Sequence, residues 1–136
     1  TNFATSIREE LLVSKDDVLT SIDDAGDIIW DARALEEFNG TKVTALRNGH
    51  IPGAANLDWL DLQDRQNGLR LKPLPVIERQ LNDLGISKDK KVITHCQTHH
   101  RSGLTYLVGK ALGYDIKAYD GSWSEWGNDP AVPIEK

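Results

Sequence analysis

Lys91-Val92-Ile93-Thr94-His95-Cys96-Gln97-Thr98-His99-His100-Arg101-Ser102-Gly103-Leu104 joins two kinds of hydrophobic pattern. Val92 and Ile93 form a short apolar run that reads as a buried strand. From Ser102 the period changes: Leu104, Leu107, Val108, Ala111 and Leu112 fall at i, i+3, i+4, i+7 and i+8. That spacing predicts one face of a helix, ending at Gly113, a residue suited to the left-handed position after a helix. Cys96, the chain's one cysteine, therefore stands where a strand ends and a helix begins.

This position has chemical consequences. The first turn of a helix leaves several backbone N–H groups without partners inside the helix, and its dipole favours negative charge. A loop folded over that terminus aims its amides at whatever anion lies in the middle. A cysteine held there is favoured in its ionised, nucleophilic form. His99, His100 and Arg101 add positive or dipolar character beside it. The stretch reads as a reactive cysteine in an anion cradle.

Strands and helices alternate outward from this loop. Residues 11–13 make a short strand candidate. Ser14, with Asp17 three residues on, is an N-cap signal for a helix with Val18, Leu19 and Ile22 inward. Ile28-Ile29-Trp30 is a second strand, with Asp31-Ala32-Arg33 at its carboxyl end, the end where ligands bind in parallel α/β sheets. A short helix over 34–38 closes at Asn39-Gly40. Pro52-Gly53 marks a turn before a third strand or sheet edge at 54–57, and 59–62 suggests a helical turn. Residues 63–73 read as a loop. Pro75 at the first helical position opens a helix with Ile77, Leu81 and Leu84 on one face and Gly85 at its end. Residues 116–119 form another strand, 122–126 a short Trp-rich helix, and 128–136 an extended tail. This alternation predicts an α/β fold: a central, mostly parallel sheet with helices on both faces. Residues 1–10 are expected to form an N-terminal arm or linker, and 11–136 a single domain.

Composition narrows the possible functions. The chain has 136 residues, 39% hydrophobic and 27% charged, with a net charge of −5. No basic stripe suggests nucleic acid, and no apolar stretch reaches the ~18 residues of a membrane span. One cysteine precludes an internal disulfide and suits a reducing compartment, so a cytoplasmic location is expected.

Each feature also has a plainer reading. A lone thiol is commonly a buried structural cysteine, with apolar neighbours; Cys96 has Gln97, Thr98 and two histidines instead. A metal site is not expected, because His95 and His99 fall on a strand end and a loop rather than on one helical face, and the Cys pairs typical of structural zinc are missing. The chain calls for no cofactor. His50 reads as a structural residue bonding backbone within its turn, and Asp31 and Arg33 as braces for the surrounding loops. The tryptophans at 30, 59, 123 and 126 read as core and lining.

The stretch His95 to Ser102 resembles the active-site loop of rhodanese-type sulfurtransferases, which carry a persulfide on this cysteine. Three other stretches are similar to the same family: Trp30-Asp31-Ala32-Arg33 with Glu37-Phe38, Gly49-His50-Ile51-Pro52-Gly53-Ala54, and Tyr119-Asp120-Gly121-Ser122-Trp123. The match covers nearly the whole chain and is most like the catalytic, second domain of tandem rhodaneses. The resemblance implies a rhodanese-like fold and a sulfurtransferase with ping-pong kinetics. Cys96 would be the nucleophile and Gln97, Thr98, His99, His100, Arg101 and Ser102 would bind substrate, with Asp31, Arg33 and His50 in support. The only covalent intermediate would be the Cys96 persulfide. The implied partners are a small thiosulfate-like donor and a thiol or protein sulfur acceptor. Glu37 stands where many tandem enzymes have an arginine, which removes an anion contact.

The rival reading is a cysteine-dependent phosphatase. Such enzymes carry His-Cys, five residues, then Arg and Ser or Thr; here four residues, Gln97 to His100, separate Cys96 from Arg101. A shorter loop makes a tighter ring of amides, suited to a single sulfur atom rather than a tetrahedral phosphate. A phosphatase also needs an acid for its leaving alkoxide, whereas sulfite is a weak base. A sulfur-carrying or regulatory module is the third alternative.

Overall fold

The structure, a computed structural model, describes residues 12–64, 66, 70–98 and 101–136, with the backbone alone at Arg101. The arm or linker expected over 1–10 lies outside them, as do His99 and His100. In chain order the elements are β1 (Leu12–Val13), α1 (Lys15–Ile22), β2 (Asp27–Asp31), α2 (Leu35–Phe38), β3 (Ala55–Asn56), a 3₁₀ turn (Trp59–Leu62), β4 (Gln63–Asp64), β5 (Arg70–Leu71), α3 (Leu74–Asp83), β6 (Lys91–His95), α4 (Arg101–Ala111), β7 (Asp115–Tyr119) and α5 (Ser122–Trp126).

Five strands form one sheet in the order β1-β7-β6-β2-β3, and every pairing in it is parallel. Because strand side chains alternate, β2 and β6 feed two cores. Trp30 and Val92 join Ile77 and Leu81 of α3, Val108 of α4 and Leu112 just after it on one face. Ile29 and Ile93 join Val18 of α1 and Trp123 and Trp126 of α5 on the other. Helices thus cover both faces, as the alternation predicts. Each fully buried aliphatic side chain contributes about 1.5–3 kcal/mol of transfer free energy to this sandwich.

The ends of several elements follow local rules. Ser14 caps α1 by accepting from the Asp17 N–H (3.2 Å), and Asp17 accepts from the Ser14 N–H (3.0 Å). Gly49 has φ of +129°, and a Cβ there would lie 2.1 Å from the Glu135 carbonyl oxygen. Only glycine allows the tail to approach that closely.

Several expectations need correction. Leu107 and Ala111 face solvent, and α4 instead buries Ser102, Thr105, Val108 and Gly109, with Leu112 buried just beyond its end. At Gly109 the helix lies close to the sheet, where a Cβ would sit 2.6 Å from Ile116; nearer its start, Ser102 and Thr105 face inward onto Cys96 Sγ and Thr94 Oγ1. Leu84 is also exposed, since α3 ends one residue before it. Helix α3 begins at Leu74, so Pro75 is its second residue. The loop read over 63–73 contains an antiparallel pair, β4 with β5. The tail is not simply extended: Val132 is buried, and the Trp126 indole N–H donates to the Pro133 carbonyl (2.8 Å). Among the described residues no helix is long and apolar enough to cross a membrane.

Candidate active site

Parallel register aligns the carboxyl ends of the central strands, with Asp31 opposite His95 and Thr94 opposite Ala118. The loop leaving β6 therefore starts beside the segment leaving β2. Cys96 is the first residue of that loop and is buried, with 1% exposure. It belongs to neither apolar cluster. Its sulfur instead meets a hydroxyl: Ser102 Oγ, in the first turn of α4, donates to Cys96 Sγ at 3.5 Å. The same turn is tied to the sheet, because Thr105 Oγ1 donates to the Ser102 carbonyl (3.0 Å) and lies 2.6 Å from Thr94 Oγ1.

The loop backbone is held from the β7–α5 side. The Cys96 N–H donates to Ser122 Oγ (3.3 Å), which in turn donates to the Tyr119 carbonyl (2.9 Å). The Cys96 carbonyl accepts from the Trp123 N–H, and the Gln97 carbonyl from the Ser124 N–H, both at 2.9 Å. These two donors are first-turn amides of α5, which have no partner inside their own helix. In a trans peptide the N–H points opposite to the carbonyl. Fastening the carbonyls of 96 and 97 outward therefore turns the amides of 97 and 98 the other way. The Gln97 side chain is fixed by a reciprocal pair: Thr44 Oγ1 donates to its Oε1 (2.8 Å), and its Nε2 donates to the Thr44 carbonyl (3.0 Å). Thr98 is exposed.

Asp31 and Arg33 meet each other beside the loop rather than the thiol. Arg33 Nε and Nη2 donate to the Asp31 carboxylate at 2.7–3.1 Å, and Nη2 also donates to the Gly49 carbonyl (2.7 Å). Both side chains are fully buried, and the guanidinium stacks 4.4 Å above the Trp123 ring centroid. His95 Nε2 lies 3.7 Å from Asp31, an electrostatic distance, while its Nδ1 is 3.1 Å from the Cys96 carbonyl oxygen. Burial alone pushes the Asp31 carboxyl up. Electrostatic attraction to His95, then Arg33 with its charge and hydrogen bonds, outweighs burial and holds the carboxyl below the usual carboxylate range.

His50 lies in a separate cluster. Its Nδ1 is 2.8 Å from the Phe38 carbonyl oxygen, its ring stacks on Phe38 with centroids 3.8 Å apart, and its Nε2 is 3.5 Å from Glu135. Glu37, read as standing where an arginine would offer an anion contact, is buried and accepts from the Ala34 N–H (3.1 Å) at the start of α2. The structure thus brings Cys96 and Ser102 together, pairs Asp31 with Arg33, and places His50 against Phe38 and Glu135. His99, His100 and the Arg101 side chain lie outside what is described. Sequence reasoning missed Thr44, Thr105 and Ser122. Only Ser122 lay in a stretch that had drawn attention.

The parallel α/β sheet, with its lone-cysteine loop between β6 and α4, is matched by known proteins. The chain belongs to the rhodanese-like domain family, which matches residues 14–129. The thiosulfate sulfurtransferase of Azotobacter vinelandii is 50% identical over 133 residues, covering 97% of this chain and 48% of the relative. The thiosulfate sulfurtransferase of Pseudomonas aeruginosa is 57% identical over 108 residues, covering 79% and 39%. The sulfur carrier protein TtuD of Thermus thermophilus is 36% identical over 141 residues, covering 94% and 49%. The chain therefore spans less than half the length of these curated relatives. Among solved structures, wild-type EanB superposes with a TM-score of 0.83 at 22% identity, over 93% of this chain and 32% of EanB. At that identity the likeness concerns the fold alone.

Proposed function

We propose that the chain transfers sulfane sulfur from a thiosulfate-like donor to a nucleophilic acceptor through a persulfide on Cys96. The Cys96 thiolate attacks the outer sulfur of thiosulfate. A new S–S bond forms as the bond to the sulfonate breaks, and sulfite leaves with that electron pair. An acceptor (cyanide in an assay, a thiol or a protein thiol in a cell) then attacks the outer sulfur and returns Cys96 to thiolate. Two half-reactions on one group give ping-pong kinetics.

The observation that carries this reading is the setting of the thiol. It lies 3.5 Å from the hydroxyl of Ser102, in the first turn of an 11-residue helix, with the carbonyls of 96 and 97 bonded outward. Inward amides stabilise negative charge on the outer sulfur, and Ser102 stabilises the thiolate both as nucleophile and as leaving group. Gln97, Thr98, His99, His100 and Arg101 form the rest of the anion site, with Asp31, Arg33 and His50 as structural support. The names of the Azotobacter and Pseudomonas relatives favour thiosulfate as donor. The name of the Thermus relative favours passing the sulfur to another protein. A reactive thiol of this kind suits the reducing cytoplasm.

Intact-mass measurement after thiosulfate treatment tests the proposal. The expected result is a gain of one sulfur on Cys96, released as thiocyanate by cyanide. Hydrolysis of an aryl phosphate without sulfur uptake would replace the reading with the phosphatase alternative.

A further inference from the structure

Ser122 is the one non-glycine with positive φ (+53°) among the described residues. Side chains disfavour this left-handed backbone, and glycine is its usual occupant. A glycine is adjacent, yet Gly121 takes an ordinary right-handed conformation, with φ of −60° and ψ of −34°. Gly121 is needed there for space: a Cβ would meet Glu125 Oε1 at 2.4 Å, and that oxygen is held by the Tyr119 hydroxyl at 2.6 Å. The turn therefore places a serine at the position that favours glycine. The strain is coupled to a contact, because the fully buried Ser122 hydroxyl accepts from the Cys96 N–H and donates to the Tyr119 carbonyl.

We infer that Ser122 is a positioning residue for the cysteine loop: its hydroxyl fixes the Cys96 peptide to the end of β7, so that the following amides face the sulfur. The inference rests on the sulfur-transfer reading. Among the described residues three hydrogen bonds join the segments, from Cys96 N–H to Ser122 Oγ, Trp123 N–H to Cys96 O, and Ser124 N–H to Gln97 O. The two from α5 hold carbonyls, while the one to Ser122 holds the amide of the nucleophile itself. With all three in place, the loop cannot rotate its first peptide without breaking a buried contact. A glycine at 122 would relax the backbone but leave that amide without its partner. Serine is the residue that accepts the strain and supplies the acceptor.

Ser122→Gly and Ser122→Ala in the full chain separate the two roles. Both lose the hydroxyl, and only alanine keeps the unfavourable φ, so the glycine variant should melt above the alanine variant. Sulfur uptake from thiosulfate should nevertheless slow in both by about tenfold, as loss of one buried hydrogen bond would produce, in kcat rather than in KM. If the rate follows stability instead, with glycine restoring wild-type uptake, the hydroxyl does not position the loop and the inference is overturned. Unchanged uptake in both variants overturns it equally. Hydrogen exchange of the loop amides, measured without donor, gives an independent result: exchange at 96–98 should quicken in both variants, and unchanged exchange would overturn the inference. Should the wild-type protein take up no sulfur, the transfer reading falls, while the exchange result still decides the case of Ser122.

Discussion

Two segments leave the carboxyl edge of the sheet side by side, in register at Asp31 and His95, and they are built on opposite plans. After β2 the chain is closed by charge, with a fully buried carboxylate and guanidinium locked together two residues apart. After β6 it is held by its backbone, with carbonyls and an amide fastened to the β7–α5 turn. A buried ion pair directs its groups at each other and has little left for a ligand. A backbone clamp makes no demand on the side chain at its centre, Cys96, which the proposed transfer needs as its nucleophile. The first plan resists movement beside the site, and the second shapes the site.

Cys96→Ser should have the largest effect, and it tests the reactive side of the contrast. Sulfur uptake by mass should vanish, while urea unfolding shifts by no more than about 1 kcal/mol, because the residue lies outside both apolar clusters. A variant that still accumulates sulfur would remove the thiol from the scheme.

Asp31→Asn should do the reverse, lowering stability much more than chemistry. It leaves the Arg33 cation buried without its counter-ion, a change that costs about 3–5 kcal/mol, a large part of the about 5–15 kcal/mol typical of a domain. The pH dependence has a definite sign. Asp31 is held below its ordinary value by His95 and Arg33 against the effect of burial. Between the ordinary carboxylate value of about 3.9 and the lower folded one, the unfolded chain binds a proton that the native chain does not. The contribution is thus complete above the ordinary value and is lost as pH falls through the folded one. Urea midpoints of the wild type should decline in this acid range more steeply than those of Asp31→Asn. Parallel acid limbs would mean that Asp31 is not the ion the structure makes it.

The ease with which these two segments could be read from sequence also differs. The β6 strand, the cysteine and the helix after it were legible because hydrophobic periodicity and a change of period are local signals. The Ser14–Asp17 cap was legible for the same reason. The buried face of α4 was not: Gly109 faces inward where Ile116 on β7 leaves no room for a side chain, and Ser102 and Thr105 face inward onto Cys96 Sγ and Thr94 Oγ1, partners that no periodicity reveals. Strands β4 and β5, two residues each, are too short to show alternation. Nothing local marks Ser122, because glycine is the residue type usual at a left-handed turn and one stands beside it at 121; only the position of Glu125 shows why Gly121 does not take that role. Thr44 lies 53 residues from Gln97, and no spacing rule links two loops across a fold.

Within the cysteine loop, smaller effects should rank by distance from the sulfur. Ser102→Ala removes the hydroxyl that donates to Cys96 Sγ, the sulfur the proposed transfer uses as a thiolate. A hydrogen bond to a charged group contributes about 1.5–3 kcal/mol, so sulfur uptake should slow about ten- to a hundredfold by stopped-flow or quench. Thr44→Val removes only the Oγ1–H bond to Gln97 and keeps the threonine carbonyl that accepts from Gln97 Nε2. That bond is part-buried and neutral, so about 0.5–1 kcal/mol is at stake, equivalent to about a two- to fivefold change in kcat/KM. If Thr44→Val slowed transfer more than Ser102→Ala, the outer fastening of the loop would govern the thiol more than its nearest hydroxyl, and the contrast drawn above would have its site of control in the wrong place.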